Sequence, residues 1–324
     1  MYTKYYGLQE KPFEISPDPK FLYLSENHKE ALAHLIYAVT EGSGFTVITG
    51  EVGTGKTTLA QTLLSRLDGN VQTAYLFNPT LKTDDFIQYI LKDLGVRLYG
   101  RTKGDYLHKL HQYLLNAYQA NVKVILIIDE AQTLNPRLLE EVRLLTNLET
   151  SKKKLLQVIL LGQPEFNRIL DDPRFRQLNQ RVSLRYHIQP LNKKETEEYI
   201  ENRLRRAGAS NPYFFSPRAL KKIYRYSKGI PRLINTLCDH ALLIGYANDQ
   251  MEIGPSVIRE AKRDLKGPSF WTRKLLLQIS VAILILLFVG FLFFVWGDQY
   301  FGTAKENLSR GVQYSLDKLG GLFR

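Results

Sequence analysis

Apolar residues recur along this chain with two alternating periods. Leu32, Leu35, Ile36 and Val39 are spaced three and four apart, which predicts one buried face of a helix that Ser25 can cap. After Gly42 and Gly44 the pattern becomes a continuous run, Phe45-Thr46-Val47-Ile48-Thr49, which predicts a strand. Helical spacing returns with Leu59, Leu63 and Leu64, and the alternation then repeats. Strands are expected at 73–77, 122–128 and 155–161. Helices are expected at 83–95, at 104–119, and around Leu138, Leu139, Val142, Leu145 and Leu148. Strands alternating with helices predict a three-layer α/β unit with a largely parallel sheet. Beyond Pro190 only the helical period persists, over 193–207, 217–227, 231–247 and 254–265, broken by Gly208, Pro212 and Gly229-Ile230-Pro231. The expected organisation is a lead-in over 1–25, an α/β domain over 26–190 and a small helical domain over 191–266.

A third pattern occupies Leu275–Trp296, where only Gln278, Ser280 and Gly290 interrupt an apolar run. As one helix it would rise about 33 Å, enough for a hydrocarbon core of roughly 30 Å, so a single transmembrane helix is expected at 275–296. Trp271 and Trp296 flank it, and the basic linker 267–274 precedes it. Arg259, Lys262, Arg263, Lys266, Arg273 and Lys274 lie on its near side. By the positive-inside rule the main body is expected in the cytoplasm of a bacterial cell and the short tail 297–324 outside the inner membrane. In that tail Leu308, Val312, Leu316 and Leu319 could form a short amphipathic helix.

Composition sets limits. With 44% apolar and 23% charged residues the chain is not a disordered one. A single cysteine, Cys238, excludes an intrachain disulfide and a cysteine-built zinc site. The net charge of +12 permits nucleotide, nucleic acid or anionic lipid partners and selects none.

The candidate chemistry begins at the first strand. Gly50-Glu51-Val52-Gly53-Thr54-Gly55-Lys56-Thr57 matches the phosphate-binding loop, glycine, four residues, then Gly-Lys-Thr, with Thr58 continuing into a helix. Its glycines allow backbone N–H groups to surround phosphates, Lys56 brings charge to the β- and γ-phosphates, and Thr57 offers a hydroxyl to magnesium. The run Ile125-Leu126-Ile127-Ile128 ends in Asp129-Glu130. Carboxylates at a strand's C-terminal end face the crevice where α/β proteins bind ligands. Asp129 is expected to hold the magnesium shell, and Glu130 to orient and help deprotonate an attacking water. Together the two motifs predict Mg2+-dependent ATP hydrolysis.

With the helical domain that follows, these motifs resemble the AAA+ superfamily. Residues 1–265 are more narrowly similar to the ExeA/GspA-type secretion ATPases and their relatives in pilus biogenesis. The likeness runs through Tyr6-Gly7-Leu8, Pro12-Phe13, Pro17-Asp18-Pro19, Phe21–Leu24, Thr49–Thr57, Asn78-Pro79, Ile128–Gln132, Leu161–Glu165, Gln180-Arg181-Val182 and Gly229–Arg232. The resemblance implies an adenine pocket touching Phe13 and Tyr23, and an asparagine at Asn78 that restrains the catalytic glutamate. It implies a first sensor at Gln163 and a second sensor at Arg232 in a lid. It also implies an arginine finger acting on a neighbouring subunit, for which Arg181 is preferred and Arg174, Arg176 and Arg185 compete. A ring or arc of identical subunits is the family expectation.

The function so implied is a membrane-anchored ATPase driving a secretion, pilus or export machine, with an inner-membrane partner carrying a periplasmic domain. A DNA-handling ATPase, supported by the charge balance and Lys152-Lys153-Lys154, and a nucleotide-switched signalling or defence scaffold stand as alternatives.

Overall fold

Val47 and Ile48 are chain neighbours, yet each is fully buried in a different core. That separation is the signature of a sheet covered on both faces. In the computed structural model the described residues are 1–15, 18–42, 44–67, 69–77, 79, 81–100, 102–151, 153–266, 278–290 and 308–312. In chain order the elements are α1 (Tyr2–Tyr5), α2 (Glu26–Glu41), β1 (Phe45–Gly50), α3 (Lys56–Arg66), β2 (Val71–Leu76), α4 (Thr83–Asp93), α5 (Lys103–Gln119), β3 (Lys123–Ile128), α6 (Pro136–Leu145), β4 (Leu156–Gly162), α7 (Glu165–Leu170), α8 (Arg176–Asn179), β5 (Leu184–Ile188), α9 (Lys193–Arg206), α10 (Pro217–Ser227), α11 (Pro231–Ala247) and α12 (Pro255–Lys266).

The five strands are all parallel, in the order β2-β3-β4-β1-β5. Alternate side chains of each central strand go to opposite cores. Val47, Leu126, Ile128, Val158 and Leu160 meet residues of α4, α5 and α6, among them Ile87, Leu110 and Leu138. Ile48, Ile125, Ile127, Ile159 and Leu161 meet Leu32 and Leu35 of α2 and Leu59 and Leu63 of α3. Central strands buried this way are mostly apolar, which is why β1, β3 and β4 read as near-continuous runs broken only by Thr46, Thr49, Lys123 and Gln157. Strand β5 did not announce itself, because Leu184-Arg185-Tyr186-His187-Ile188 lies at the sheet edge and carries polar residues between its apolar ones.

The helices α9–α12 form the lid, joined to the α/β layers by backbone contacts. Leu191 N–H donates to Gly229 O at 3.0 Å. Gly229 has φ +79°, and a Cβ there would lie 1.8 Å from Leu191 O, so no other residue fits this junction unmoved. The first residues of the chain are fastened to the lid as well. Tyr2 donates to Asp239, Tyr6 to Gln250 O at 2.9 Å, and Gln9 N–H to Ala207 O at 2.8 Å.

The chain divides into two compact units, 1–262 and 263–324. In the second, the expected transmembrane helix is corrected. Among the described residues no helix is long and apolar enough to cross a membrane. The helix described there covers 278–290, a rise of about 20 Å against a hydrocarbon core of about 30 Å. Residues 275–277 and 291–296 of the expected span, and the linker 267–274, lie outside the described residues. Membrane anchoring, single-pass topology, an extracytoplasmic tail and lipid as a partner are therefore not carried forward. A short helix at 308–312 includes Leu308 and Val312, while Leu316 and Leu319 lie outside the described residues.

Candidate active site

The loop Glu51–Gly55 leaves the C-terminal end of β1 and returns into α3 at Lys56. Gly53 and Gly55 take φ of +84° and +97°, conformations that L side chains rarely adopt. At Gly53 there is also a steric reason, since a Cβ would lie 2.5 Å from Cβ of Arg232 in the lid. Lys56 is buried, and its Nζ donates to Gly50 O at 2.8 Å and Glu51 O at 3.1 Å. Burial pushes its ammonium pKa down, opposed by the charges of Glu130, Asp129, Glu51 and Glu165.

His28 braces this loop from α2. The ring is buried, with Nδ1 2.7 Å from Ser25 Oγ and Nε2 2.7 Å from Thr54 O. A carbonyl only accepts, so Nε2 carries the proton and Nδ1 accepts from the serine hydroxyl. Burial lowers the pKa of the imidazole, against the raising effects of the Thr54 carbonyl and Glu195, which favours this neutral form.

Asp129 and Glu130 follow β3, two strand positions from β1 across β4. Asp129 is buried, and its Oδ2 accepts from Thr57 Oγ1 at 2.7 Å and from the Tyr75 hydroxyl at 3.2 Å. Burial, then the Asp129 charge, raises the Tyr75 pKa, so the phenol stays a donor. Thr57 and Asp129 present two hard oxygens side by side, a donor set suited to Mg2+ whose remaining ligands are phosphate and water. Among the described residues no group of three or more His, Cys, Asp or Glu side chains could hold a metal ion.

Glu130 adopts φ +51°, uncommon for a residue with a side chain. Its Oε2 accepts from Gln132 Nε2 at 2.5 Å and from Gln163 Nε2 at 3.1 Å. Gln132 Oε1 in turn accepts from the Gln163 backbone N–H at 2.9 Å. The carboxylate is thus held by two amides from the ends of β3 and β4. Asn78, expected to restrain it, lies outside the described residues.

Of these groups His28, Lys56, Thr57 and Glu130 line a cavity of about 350 Å3, while Asp129, Tyr75, Gln132 and Gln163 stand behind the lining. Its lining comes from Val52–Thr58 and Glu130 of the α/β domain, from Phe21 and Tyr23 of the lead-in, and from Tyr199, Arg203, Arg232 and Asn235 of the lid. Arg232 is exposed, and its backbone N–H donates to Gly53 O at 3.3 Å. Tyr23 donates to Glu198 Oε2 at 2.8 Å. Phe13 does not line the cavity. It is buried edge-on against Phe215 with ring centroids 6.2 Å apart, so it contributes packing at the position expected to touch adenine. Gly50 and Glu51 are close by in the loop but outside the lining, and Glu51 is exposed. Arg181 is also remote from the cavity, with Nη1 donating to Thr146 Oγ1 at 2.7 Å beyond α6. Of its competitors, Arg174 pairs with Asp172 at 2.7 Å and Arg185 with Asp171 at 3.5 Å.

Several functional side chains were missed from the sequence. His28 sits four residues before Leu32, on the buried stripe of α2, which was the available signal. Gln132 stands two residues past the acid. Nothing local marks Tyr75 or Arg203, which act across the fold.

A family model described as AAA domain matches residues 39–170. The chain is 42% identical over 317 residues to General secretion pathway protein A of Aeromonas hydrophila, covering 94% of this chain and 55% of that protein, so it spans about half the relative's length. Among solved structures, ORC2 of Aeropyrum pernix with ADPNP and ADP superposes with a TM-score of 0.61 at 21% identity, over 82% of this chain and 74% of that one. Drosophila ORC bound to DNA gives 0.62 at 18%, over 79% and 65%. The RuvB branch migration motor of Thermotoga maritima gives 0.51 at 21%, over 83% and 80%. At these identities the structural likeness establishes the fold.

Proposed function

We propose that the chain, similar to the GspA/ExeA-type proteins, is a Mg2+-dependent AAA+ ATPase whose hydrolysis drives assembly or operation of a secretion or pilus machine through a protein partner. The observation that carries the chemistry is Glu130, held by two amides beside the Lys56–Thr57–Asp129 group at one cavity wall.

In this reading the triphosphate lies on the N–H groups of Gly53–Thr58 at the start of α3, where the helix end favours an anion. Lys56 exchanges the carbonyls of Gly50 and Glu51 for phosphate oxygens, which restores to its buried ammonium a full counter-charge. Thr57 and Asp129 would hold Mg2+, which when bound would supply positive charge beside the phosphates. Glu130 orients a water and accepts its proton as the water oxygen bonds to the γ-phosphorus. The bond to the bridging oxygen breaks, giving ADP and phosphate. Gln163 and Gln132 position the Glu130 carboxylate. Arg232 reads the γ-phosphate from the lid, and Tyr23, Phe21 and Tyr199 face the base. Arg181, away from its own cavity, is free to serve the site of an adjoining copy in a homo-oligomer.

The secretion role is supported by the 42% identical relative, whose name states it. Purified protein with ATP and Mg2+ should release phosphate, and Glu130→Gln should bind ATP but lose turnover by about 10²–10⁴. Equal turnover would remove Glu130 from the mechanism. With ATP present, the same variant should retain secretion or pilus components from cell extract; recovery of recombination or replication proteins instead would overturn the secretion role.

A further inference from the structure

Several surface cations are paired with acids. Lys29 pairs with Glu26 at 2.7 Å, Arg143 with Glu140 at 2.6 Å, Arg174 with Asp172 at 2.7 Å, and Lys193 and Lys194 with Glu197 and Glu198 at 3.7 Å. One face of the lid departs from this. Lys222 and Arg225 lie three apart on α10, and Arg259 and Lys262 three apart on α12, so each pair shares a helix face. Arg225, Arg259 and Lys262 are exposed and Lys222 is half-buried. Among the described residues none of the four forms an ion pair. Lys222 Nζ instead donates to Pro255 O at 3.1 Å, joining the two helices, and Lys262 Nζ lies 5.4 Å from the centre of the Tyr226 ring. Burial first, then the charges of Arg259, Arg225 and Lys262, push the Lys222 pKa down, and no carboxylate offsets them.

Like charges held together without acids cost stability and are relieved by an external anion. We infer that this α10–α12 face is the docking site for a short acidic segment of a partner protein. Two features favour a peptide over nucleic acid. Each cationic pair spans about one helical turn, roughly 5 Å, which suits a few carboxylates better than a continuous track of phosphates. The cluster is also held rigid by the Lys222–Pro255 bond and backed by Tyr226, so a short ligand loses little to ordering of the site. That the occupant is a protein rests on the reading that ATP hydrolysis here serves a partner protein. In that reading the contact would place the partner on the lid, the part of the molecule that carries Arg232.

The test uses full-length protein and a fluorescent peptide of about twelve residues, rich in Glu and Asp with one Tyr, read by anisotropy; an oligonucleotide of equal charge is run in parallel. The double variant Arg225→Glu/Arg259→Glu should weaken peptide binding at least tenfold. Its ATP turnover should be unchanged and its Tm equal or higher, since the reversal removes repulsion. A merely structural face would instead lose Tm. Equal peptide binding by both proteins would overturn the docking site, and tighter binding of the oligonucleotide than of the peptide would overturn the acidic segment as occupant. Turnover is read separately, so a wild-type protein without ATPase activity would sink the functional reading while the peptide titration still decides the surface.

Discussion

The cavity has two unlike walls. The sheet wall, Val52–Thr58 with Glu130, is built from loops that leave buried parallel strands, and several of its polar groups, with Asp129 behind them, are held in place by neighbours. His28 grips Thr54 O, Lys56 grips Gly50 O and Glu51 O, Tyr75 and Thr57 hold Asp129, and Gln132 and Gln163 hold Glu130. The lid wall is aromatic and cationic. Its attachment near the phosphate loop is narrower: one N–H from Arg232 to Gly53 O, and the packing of Arg232 on a glycine that has no Cβ. Behind it, Arg203 is itself tied to the lead-in, through Pro12 O at 2.5 Å and Glu14 O at 3.1 Å, with its guanidinium 4.7 Å from the Phe21 ring. Chemistry needs fixed groups, because preorganised charges require no rearrangement as the reaction proceeds. Sensing needs a part whose contacts differ between two nucleotide states. In the proposed mechanism the two walls divide along that line.

The largest effect belongs to the sheet wall. Lys56→Ala should weaken ATP binding at least about a hundredfold in a fluorescent-nucleotide titration, since a buried charge-assisted contact is lost. Near-normal affinity would mean that the lid wall carries phosphate binding. Next comes the lid. Arg232→Ala should lower turnover by about ten- to a hundredfold, the scale of losing one charged contact to developing phosphate charge. It should also level the affinities for ATP and ADP; an unchanged ratio would leave the lid wall with no sensing role.

Tyr75→Phe tests the bracing of the sheet wall without touching ligand. One donor to Asp129 is lost, so the Mg2+ needed for half-maximal nucleotide binding should rise by about tenfold, the low end for residues that orient a metal ligand. Binding without Mg2+ and Tm should stay near wild type. The smallest effect is thermodynamic. Because the folded-state pKa of His28 is lowered, its contribution to stability is fully present above the ordinary histidine value of about 6.5 and is lost as pH falls through the window below it. The slope from one such group is at most about 1.4 kcal/mol per pH unit. Urea midpoints at pH 7.5 and 5.5 should therefore differ more for the wild type than for His28→Gln. Equal differences would show that His28 is not a titrating brace.

The sheet wall was legible in the chain and the lid wall mostly was not. Gly50–Thr57 and Asp129-Glu130 are contiguous because a loop between a strand and a helix must carry its own glycines, charge and hydroxyl in one stretch. The lid wall is assembled from residues near 21, 199, 203 and 232, which no local spacing relates. Phe13 shows the hazard of reading position without packing, since of the two aromatics expected at the base it is a core residue, while Tyr23 lines the cavity together with Phe21. The apolar run at 275–296 shows another, because hydropathy counts residues one at a time, and among the described residues no helix is long and apolar enough to cross a membrane.

By itself the sequence determined the layered α/β plan, the helical lid and the phosphate-binding chemistry, because burial on two faces and a tight anion-binding turn each demand particular residues at short separations. Tertiary structure alone decided that β5 closes the sheet edge, that His28 and Tyr75 brace the loop and the acid, and that Arg232 meets Gly53. The same holds for four cations from α10 and α12 sharing one face. These pairings join residues distant in the chain, and their energies depend on distance in space, which only the packed fold sets.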